Sequence, residues 1–235
     1  MDKKKLVVFS GAGMSAESGI DTFRDSGGLW ENHRIEDVAT PEAFKRNPVK
    51  VLDFYNMRFK QLKTVEPNEA HLAIARLEKE GKYDISIVTQ NVDDLHERAG
   101  STKVCHLHGE LTKCRSSGNE SYIAEMPLEG LGLGNLCPSG FQLRPNIVWF
   151  GEMVPAMDLA IDIVTQSDIL VIIGTSLNVY PAAGLAQMAP KNAAVFLIDP
   201  GTFDDLDRKI KHIKKPATAG FKELISILLN RQNVR

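Results

Sequence analysis

Short, continuous runs of apolar residues, each followed by glycine or a polar turn, recur along the chain. Four of them are LVVFSGAG (6–13), ISIVTQNVD (85–93), ILVIIGTS (169–176) and AVFLID (194–199). Apolar runs of four to six residues that are rich in Val and Ile are typical of parallel strands buried on both faces. The pattern therefore predicts a parallel sheet that passes through the centre of the protein.

Segments with apolar residues at three- and four-residue spacing separate these runs, which is the pattern of amphipathic helices. The predicted helices cover 48–62, 68–81, 155–167 and 221–231, and the second is expected to stop at a glycine. Because strands and helices alternate, the sequence predicts an α/β fold with a doubly wound parallel sheet.

Two segments depart from this alternation. Residues 113–146 show little periodicity and are rich in Gly, Ser and Pro, so we expect a smaller inserted domain that projects from the sheet. The basic run DRKIKHIKK (207–215) is interpreted as a solvated helix face or a loop, with a nucleic-acid arm as a distant alternative.

Composition narrows the class of protein. The chain of 235 residues is 43% apolar and 25% charged, with a formal net charge of −2, which provides no general field to attract nucleic acid. Three cysteines do not make a disulfide framework, and the apolar run after the N-terminal lysines is too short for a signal peptide. No apolar segment approaches membrane-spanning length. We therefore expect a cytoplasmic protein that binds neither nucleic acid nor membrane.

Two glycine-rich turns that follow predicted strands favour a nucleotide site. In the first, Gly11, Gly13 and Ala16 form a G-x-G-x-x-A pattern, which permits a tight turn and a close approach of a pyrophosphate to the backbone. The second turn begins at Gly174. Asp199 ends the next predicted strand, where its carboxylate could accept ribose hydroxyls or, alternatively, cap the turn that follows it.

Five ordered stretches that span nearly the whole chain resemble the sirtuins, the NAD-dependent protein lysine deacylases. They are GAGMSAESGIDTFRDSGGLW (11–30), TQNVDDLHERAG (89–100), HLHGEL (106–111), LRPNIVWFGEMVP (143–155) and GTSLNVYPAAGL (174–185). The resemblance implies that residues 1–235 form one catalytic unit in which NAD and acyl-lysine meet in a cleft. A Rossmann-like large domain is expected from about 1–30, 68–112 and 147–235, and a smaller domain from about 31–67 and 113–146.

The resemblance also implies catalytic roles for His108 and Asn91. His108 is expected to be the base for a ribose hydroxyl, a task that suits an imidazole because its ordinary pKa lies near neutrality. A satisfied core histidine is the alternative, and spacing alone does not separate His108 from His106; only the HG pattern selects His108. Asn91 is expected to contact the ribose and a bound water. Asp93, together with the Ile20 backbone, is expected to hold the nicotinamide carboxamide.

The full set of residues expected to bind NAD comes from the glycine turns and from the ends of the predicted strands. By resemblance they are Gly11, Ala12, Gly13, Ser15, Ile20, Phe23, Arg24, Gln90, Asn91, Asp93, Gly174, Thr175, Ser176 and Asp199. For the peptide, Val148 and Phe150 are expected to line a channel for the lysine stem. Gly151 and Glu152 are expected to offer backbone to a peptide that is added as a strand.

Tyr55 and Arg58 lie three residues apart on a predicted helix and therefore on one face of it. Sirtuins that remove acidic acyl groups carry this Y-x-x-R pattern, and it falls here at the family's place after ATPEAF. A guanidinium fork and a phenol can bind the far carboxylate of a succinyl, malonyl or glutaryl chain. Chance spacing on an amphipathic helix is the alternative, in which case the protein would be a plain deacetylase.

The cysteines bear on a zinc site. The zinc of sirtuins is structural and is bound by two C-x-x-C pairs. Here Cys114 is followed by Ser117 and Cys137 by Gly140, so half of the thiolates are missing. We predict no tightly bound zinc, although a weak site that recruits a histidine stays open. Cys105 is interpreted as a small buried hydrophobic residue.

Taken together, the sequence predicts an NAD-dependent enzyme that removes acyl groups from protein lysine, with succinyl and malonyl preferred and acetyl also accepted. The expected products are nicotinamide and O-acyl-ADP-ribose, and the expected partners are acylated lysines of protein or peptide substrates. A mono-ADP-ribosyltransferase or NAD glycohydrolase on the same scaffold is the alternative. A non-catalytic NAD sensor ranks last because it would not need His108, Asn91 and Asp93 together.

Overall fold

Two sheets and the helices around them make up the fold. The computed structural model describes residues 3–22, 33–119, 121–175, 177, 180–203 and 210–232. The strands are β1 Lys4–Ser10, β2 Tyr83–Thr89, β3 Val104–His106, β4 Gly109–Ser116, β5 Ile123–Glu125, β6 Leu143–Ile147, β7 Ile169–Ile173, β8 Ala194–Ile198 and β9 Lys211–Ile213. The central sheet has the order β3-β2-β1-β7-β8-β9 and is parallel throughout, whereas β5-β4-β6 form a small antiparallel sheet.

The helices lie on both faces of the central sheet and against the small one. They are α1 Gly13–Ala16, α2 Ile35–Val38, α3 Pro41–Arg46, α4 Pro48–Leu62, α5 Glu69–Glu80, α6 Leu95–Arg98, α7 Met157–Thr165 and α8 Ala217–Gln232, with a 3₁₀ helix at Ala182–Met188. Within the described part of the chain, no helix is both long enough and apolar enough to cross a membrane.

The central sheet is buried on both faces, as the continuous apolar runs predict. On one face Ile74 of α5 and Phe221 of α8 pack against the sheet, and on the other face Val164 of α7 packs against Phe9 and Ile172. The α/β class with a doubly wound parallel sheet is therefore confirmed. The chain leaves β1 in one direction toward β2 and β3 and later resumes on its other side at β7, so the topological switch point lies between β1 and β7.

Side-chain caps explain where the two longest predicted internal helices begin and end. Asn47 accepts a hydrogen bond from Lys50 N at 3.1 Å and Pro48 occupies the first turn of α4. Asn68 caps α5 through a capping box, and Gly81 ends that helix in the left-handed conformation with φ of +68°. Both helices agree with their predicted ranges to within one residue.

Several segments differ from the sequence-based expectation. β2 ends at Thr89, four residues before the predicted run does, because the Thr89 hydroxyl accepts the N–H of Asn91 at 3.0 Å and turns the chain. Part of the basic run at 207–215 is an edge strand, β9, so the prediction of a helix face or loop is wrong for residues 211–213. A lysine-rich sequence is compatible with an edge strand, because part of such a strand stays in solvent.

The expected smaller domain is confirmed, and the segment 113–146, whose sequence shows little periodicity, contributes most of its antiparallel sheet. The expected boundaries of the small domain both fall inside strands. β4, which begins at Gly109, spans the boundary after residue 112, and β6, which ends at Ile147, spans the boundary after residue 146. β6 is buried at four of its five positions and β5 at none. β4 buries only Leu111, Cys114 and Ser116, and most of its sequence GELTKCRS is polar. A half-buried strand of this kind lacks the apolar run that marks the central strands.

The small sheet is held to α4 by packing and by one side chain that binds a loop. Val51 and Phe54 of α4 share an apolar cluster with Leu111 and Leu143 of the small sheet. Asn56 donates to Leu131 O at 2.8 Å and accepts from Leu131 N at 2.9 Å, which fixes the glycine-rich loop after β5.

The Asn56 contact is tested by Asn56→Ala. The substitution removes two hydrogen bonds and leaves both backbone groups of Leu131 without a partner, so the free energy of unfolding is expected to fall by about 2 kcal/mol. Denaturant unfolding followed by circular dichroism measures this change. The matched control is Met57→Ala on the same helix, at a side chain that is 48% exposed, with an expected change of less than about 0.5 kcal/mol. Equal losses in the two variants would contradict the role of Asn56.

Candidate active site

A cavity of about 620 Å³ lies where the carboxyl ends of the parallel strands face α4 and the segment after β6. Most of the predicted site residues line it. They are Ala12, Gly13, Tyr55, Arg58, Gln90, Asn91, His108, Val148, Phe150, Gly151, Glu152, Gly174, Thr175 and Asp199. Four others, Gly11, Ser15, Ile20 and Asp93, do not line it. Phe23, Arg24 and Ser176 lie outside the described residues.

The two glycine turns are in direct backbone contact at the switch point. Gly13 N donates to Gly174 O at 2.8 Å, and Gly11 N donates to Ile173 O at 3.0 Å. A Cβ at Gly13 would lie 2.8 Å from Gly174 Cα, and a Cβ at Gly174, whose φ is +61°, would lie 2.2 Å from Met14 N. These glycines are therefore required for the two loops to touch each other, in addition to any approach of a phosphate.

Asn91 and Asp93 are joined through Ser15. Asn91 Nδ2 donates to Ser15 Oγ at 3.0 Å, and Ser15 Oγ donates to Asp93 Oδ2 at 2.9 Å. Ile20 N donates to Ser15 O at 3.4 Å. Asp93 and the Ile20 backbone, which are expected to hold the nicotinamide carboxamide, therefore both contact Ser15. Burial raises the pKa of Asp93, against the hydrogen bonds from Ser15 and Leu95, which lower it. Only Asn91 of this set reaches the cavity wall.

His108 has the geometry of a neutral base. Its Nδ1 lies 3.0 Å from Gln90 O. A carbonyl oxygen only accepts, so Nδ1 carries the proton and Nε2 keeps the basic lone pair. Burial lowers the pKa of His108, against the hydrogen bond to Gln90, so the ring is neutral near pH 7. His106 does not line the cavity and has different partners, so the structure separates two histidines that spacing alone could not.

Tyr55 and Arg58 both line the cavity, and both are buried. Tyr55 is 2% exposed and Arg58 is 8% exposed. Burial raises the pKa of Tyr55 to about 12, so its phenol is a neutral donor. Burial also lowers the pKa of Arg58, while Tyr55 and Asp93 favour its charge. The guanidinium carbon lies 5.8 Å from the Phe54 ring centroid. A positive charge held at the wall of a cavity is the chemistry that a carboxylate ligand requires.

Sequence reasoning missed Trp149 and Arg144, which shape the wall beside Tyr55. The Trp149 ring lies 6.4 Å from the Tyr55 ring. Arg144 Cζ lies 3.8 Å from the centroid of Trp149, and both of its terminal nitrogens contact the Glu152 carboxylate, at 2.8 and 2.9 Å. Glu152 also accepts Trp149 N at 2.7 Å. Both missed residues lie in the quoted stretch LRPNIVWFGE, where the tryptophan was the available signal.

The residues expected to bind the peptide flank this wall. Val148 N donates to His108 O at 2.9 Å and Phe150 N donates to Ala39 O at 3.0 Å, which ties the channel segment to its surroundings. Phe150 is 42% exposed at the mouth of the cavity. Glu152 N already donates to Trp149 O at 3.0 Å, so any contribution of Glu152 to an added strand comes from its carbonyl.

The remaining predicted cofactor groups fit a dinucleotide. Thr175 Oγ1 donates to Gln90 Oε1 at 2.8 Å, which links the second glycine turn to the loop after β2. Asp199 Oδ1 accepts Gly201 N at 2.8 Å and also lines the cavity. The turn cap suggested as an alternative for Asp199 is therefore present, and it leaves the carboxylate at the cavity. Glycine backbone, amide and carboxylate groups together offer the donors and acceptors that a pyrophosphate and a ribose need.

The small sheet does not supply a four-thiolate zinc site. Cys114 Sγ donates to Glu125 O at 3.5 Å, and Cys137 Sγ donates to Ser116 Oγ at 3.3 Å. Ser116 Oγ also accepts Gly118 N and Asn119 N, so a hydroxyl organises the turn beside Cys137. In the described ranges, no cluster of three or more His, Cys, Asp or Glu side chains could hold a metal. All three cysteines are free thiols.

Comparisons with known proteins agree with this geometry. The Sir2 family matches residues 11–181. An NAD-dependent protein deacylase of Bacteroides thetaiotaomicron is 53% identical over 232 residues, covering 96% of this chain and 98% of its own. A mutant Sir2 homologue solved with ADP-ribose has a TM-score of 0.88 at 37% identity, over 100% of this chain and 95% of that one. A Sir2 homologue solved with NAD has a TM-score of 0.83 at 38% identity, over 98% and 91% of the two chains.

The chain belongs to the Sir2 family, the sirtuins. This result confirms the resemblance read from the five sequence stretches. It also confirms the Rossmann-like large sheet with a smaller sheet beside it.

The role of His108 as a neutral base is tested by His108→Asn. The amide keeps a donor near the position of Nδ1 and lacks the basic Nε2, so kcat is expected to fall by a factor of roughly 10² to 10⁴ while NAD still binds. In the unmodified protein the lowered pKa keeps His108 in its basic form below pH 6.5. The acid limb of the pH profile of kcat/KM should therefore lie below pH 6.5. Steady-state kinetics and calorimetric NAD titration measure both effects, and a variant with full turnover would contradict the assignment.

The absence of bound zinc is a second prediction from this site. Metal analysis of the purified protein is expected to give well below one equivalent of zinc per chain, because two of the four family positions are Ser117 and Gly140. Treatment with a strong chelator should leave both Tm and turnover unchanged. One tightly held equivalent, with a lower Tm after its removal, would show that other ligands complete the site.

Proposed function

We propose that this protein removes succinyl and malonyl groups from lysine side chains of proteins, using NAD, and releases nicotinamide and O-acyl-ADP-ribose. Its place among NAD-dependent protein deacylases follows from the family and from the names of its relatives. The preference for acidic acyl groups rests on one observation. Tyr55 and Arg58 line the same cavity as His108 and are both buried.

The burial of Arg58 supports this preference. A guanidinium in a buried wall gives a strong, directional contact to a carboxylate, because both charges are largely removed from water. The Tyr55 phenol, neutral because its pKa is about 12, adds a donor without adding negative charge. An acetyl group ends in a methyl and gains nothing from either group. An acyl chain with a terminal carboxylate therefore fits this wall better.

The rest of the cavity supports the reaction class. When bound, NAD supplies the electrophilic ribose carbon and the hydroxyl that takes over the acyl group. His108 Nε2 is the basic nitrogen at the cavity wall and is held in that tautomer by Gln90 O. Asn91 presents its side chain there while Ser15 fixes it. Val148 and Phe150 would enclose the lysine stem and exclude water from the acyl group.

Two further expectations from the sequence are part of this proposal. They are a cytoplasmic location and protein substrates without a nucleic-acid or membrane partner, for which the composition is the support. Among the described residues, no contact in the cavity favours ADP-ribosyl transfer to protein. It is an outcome that the following experiment would reveal.

The acyl preference is tested on one lysine peptide in acetyl, succinyl and malonyl forms. The unmodified enzyme is expected to show a higher kcat/KM on the two acidic forms. In Arg58→Met this advantage should fall by roughly 30-fold or more, which corresponds to about 2 kcal/mol for truncating one partner of a buried charge pair. Lys60→Met is the matched control, since it removes the same charge from an exposed position of α4.

The outcomes separate the alternatives. An acetyl preference that Arg58→Met does not alter would make Tyr55 and Arg58 ordinary helix residues and the protein a plain deacetylase. Mass spectrometry of the peptide identifies the reaction itself. Loss of the acyl mass supports deacylation, whereas a gain of ADP-ribose without acyl loss would support ADP-ribosyl transfer.

A further inference from the structure

His106 contacts two groups that can only accept hydrogen bonds. Its Nδ1 lies 3.3 Å from the backbone oxygen of Asn91, and its Nε2 lies 2.8 Å from Oε1 of Glu97. A neutral imidazole has one N–H and therefore satisfies only one acceptor, whereas an imidazolium donates at both nitrogens. The ring is nearly closed off from water, with a side-chain exposure of 9%. Both acceptors are satisfied together only when His106 is charged.

We propose that His106 is held as an imidazolium by Glu97 and that this charged ring is the positioning residue that fixes the backbone of Asn91 in the active site. The proposal rests on the role of Asn91 in the proposed function, and it adds His106 and Glu97 to that site. Neither side chain lines the cavity, so the pair acts through Asn91.

Three polar groups of Asn91 are each held by a different element. Its N–H donates to Thr89 Oγ1 at 3.0 Å, its side-chain amide donates to Ser15 at 3.0 Å, and its carbonyl accepts from His106. The preceding carbonyl, that of Gln90, accepts from His108. Two histidines two residues apart therefore bind two consecutive carbonyls of the loop after β2. His106 also contacts the Glu97 carboxylate through Nε2, and this second acceptor is what gives His106 and His108 different charge states.

The charges around His106 favour its protonated form. Acidic groups act on the ring from the loop after β2, from α6 and from β4, and one histidine opposes them. The acidic groups are Asp93, Asp94, Glu97 and Glu110, and the opposing histidine is His96. Burial by itself lowers the pKa of His106, but the hydrogen bond to Glu97 and the charges of Glu97 and Glu110 outweigh it and raise the pKa above 6.5. Burial leaves His108, for which the described residues supply no carboxylate partner, neutral instead.

The charge of His106 has a consequence at alkaline pH. A group with a raised pKa keeps its proton below that pKa and loses it as the pH rises through it. The single remaining N–H stays with the Glu97 carboxylate, because a charged acceptor binds it more strongly than a carbonyl does. Asn91 O then faces a lone pair and loses its donor. Turnover should therefore decline on the alkaline side by roughly fivefold, the contribution of one hydrogen bond.

The charge itself is read by nuclear magnetic resonance of protein with ¹⁵N-labelled histidine. The chain has six histidines, and the His106 signals are those lost in His106→Gln. At pH 7 both nitrogens of His106 are expected at the shift of protonated imidazolium, and the ring should titrate above pH 6.5. A singly protonated His106 at pH 7 would overturn the proposal. This readout needs no turnover, so it stands even if the protein has another activity.

The positioning role is read from the pH profile of kcat in Glu97→Gln. The neutral amide donates to His106 Nε2, which lets an uncharged ring give its only N–H to Asn91 O at every pH. The alkaline decline of the unmodified enzyme should therefore disappear. Glu110→Gln is the control, because it removes the same charge near His106 while its own partner is Lys113, and it should keep the decline. An unchanged alkaline limb in Glu97→Gln, with His106 shown to be charged, would refute the positioning role.

Discussion

The contact between the backbones of Gly13 and Gly174 is the constraint on which the site depends. The two loops leave neighbouring parallel strands on opposite sides of the switch point, and they meet at 2.8 Å from Gly13 N to Gly174 O. No side chain can occupy either position without displacing the other loop. Because these turns touch, the loop after β2 is brought against both of them, through Ser15 on one side and Thr175 on the other.

Rigid placement of that loop allows two similar side chains to take opposite states. His106 and His108 each bind a carbonyl of the loop, but Glu97 stands behind only one of them. A buried imidazole without a partner charge loses its proton, and one paired with a carboxylate keeps it. The site thus contains a neutral base beside a charged positioning residue, and the difference arises mainly from the carboxylate of Glu97 on α6, supported by the charge of Glu110.

The end of the cavity lined by Tyr55 and Arg58 depends on the second sheet. Arg144, Trp149 and Glu152 form a stacked and ion-paired group at the end of β6, and this group forms the wall next to Tyr55. A hydroxyl network at Ser116 and the Asn56 contact organise the loops that thiolates would otherwise hold. Helix α4 serves both purposes, since Asn56 binds the small domain while Tyr55 and Arg58 line the cavity.

The sequence by itself determined four strands of the central sheet (β1, β2, β7 and β8), the long helices and the family, because apolar runs, helix caps and glycine turns are local signals. It also named His108, Tyr55 and Arg58 through motif positions. Tertiary structure decided what those signals do not contain. The half-buried strands β4 and β9 have no apolar run, so only pairing with neighbours reveals them. The charge of His106 follows from Glu97, nine residues earlier, and the stacking of Arg144 on Trp149 follows from a turn that no periodicity marks. Such partners are set by packing across elements, which spacing along the chain does not encode.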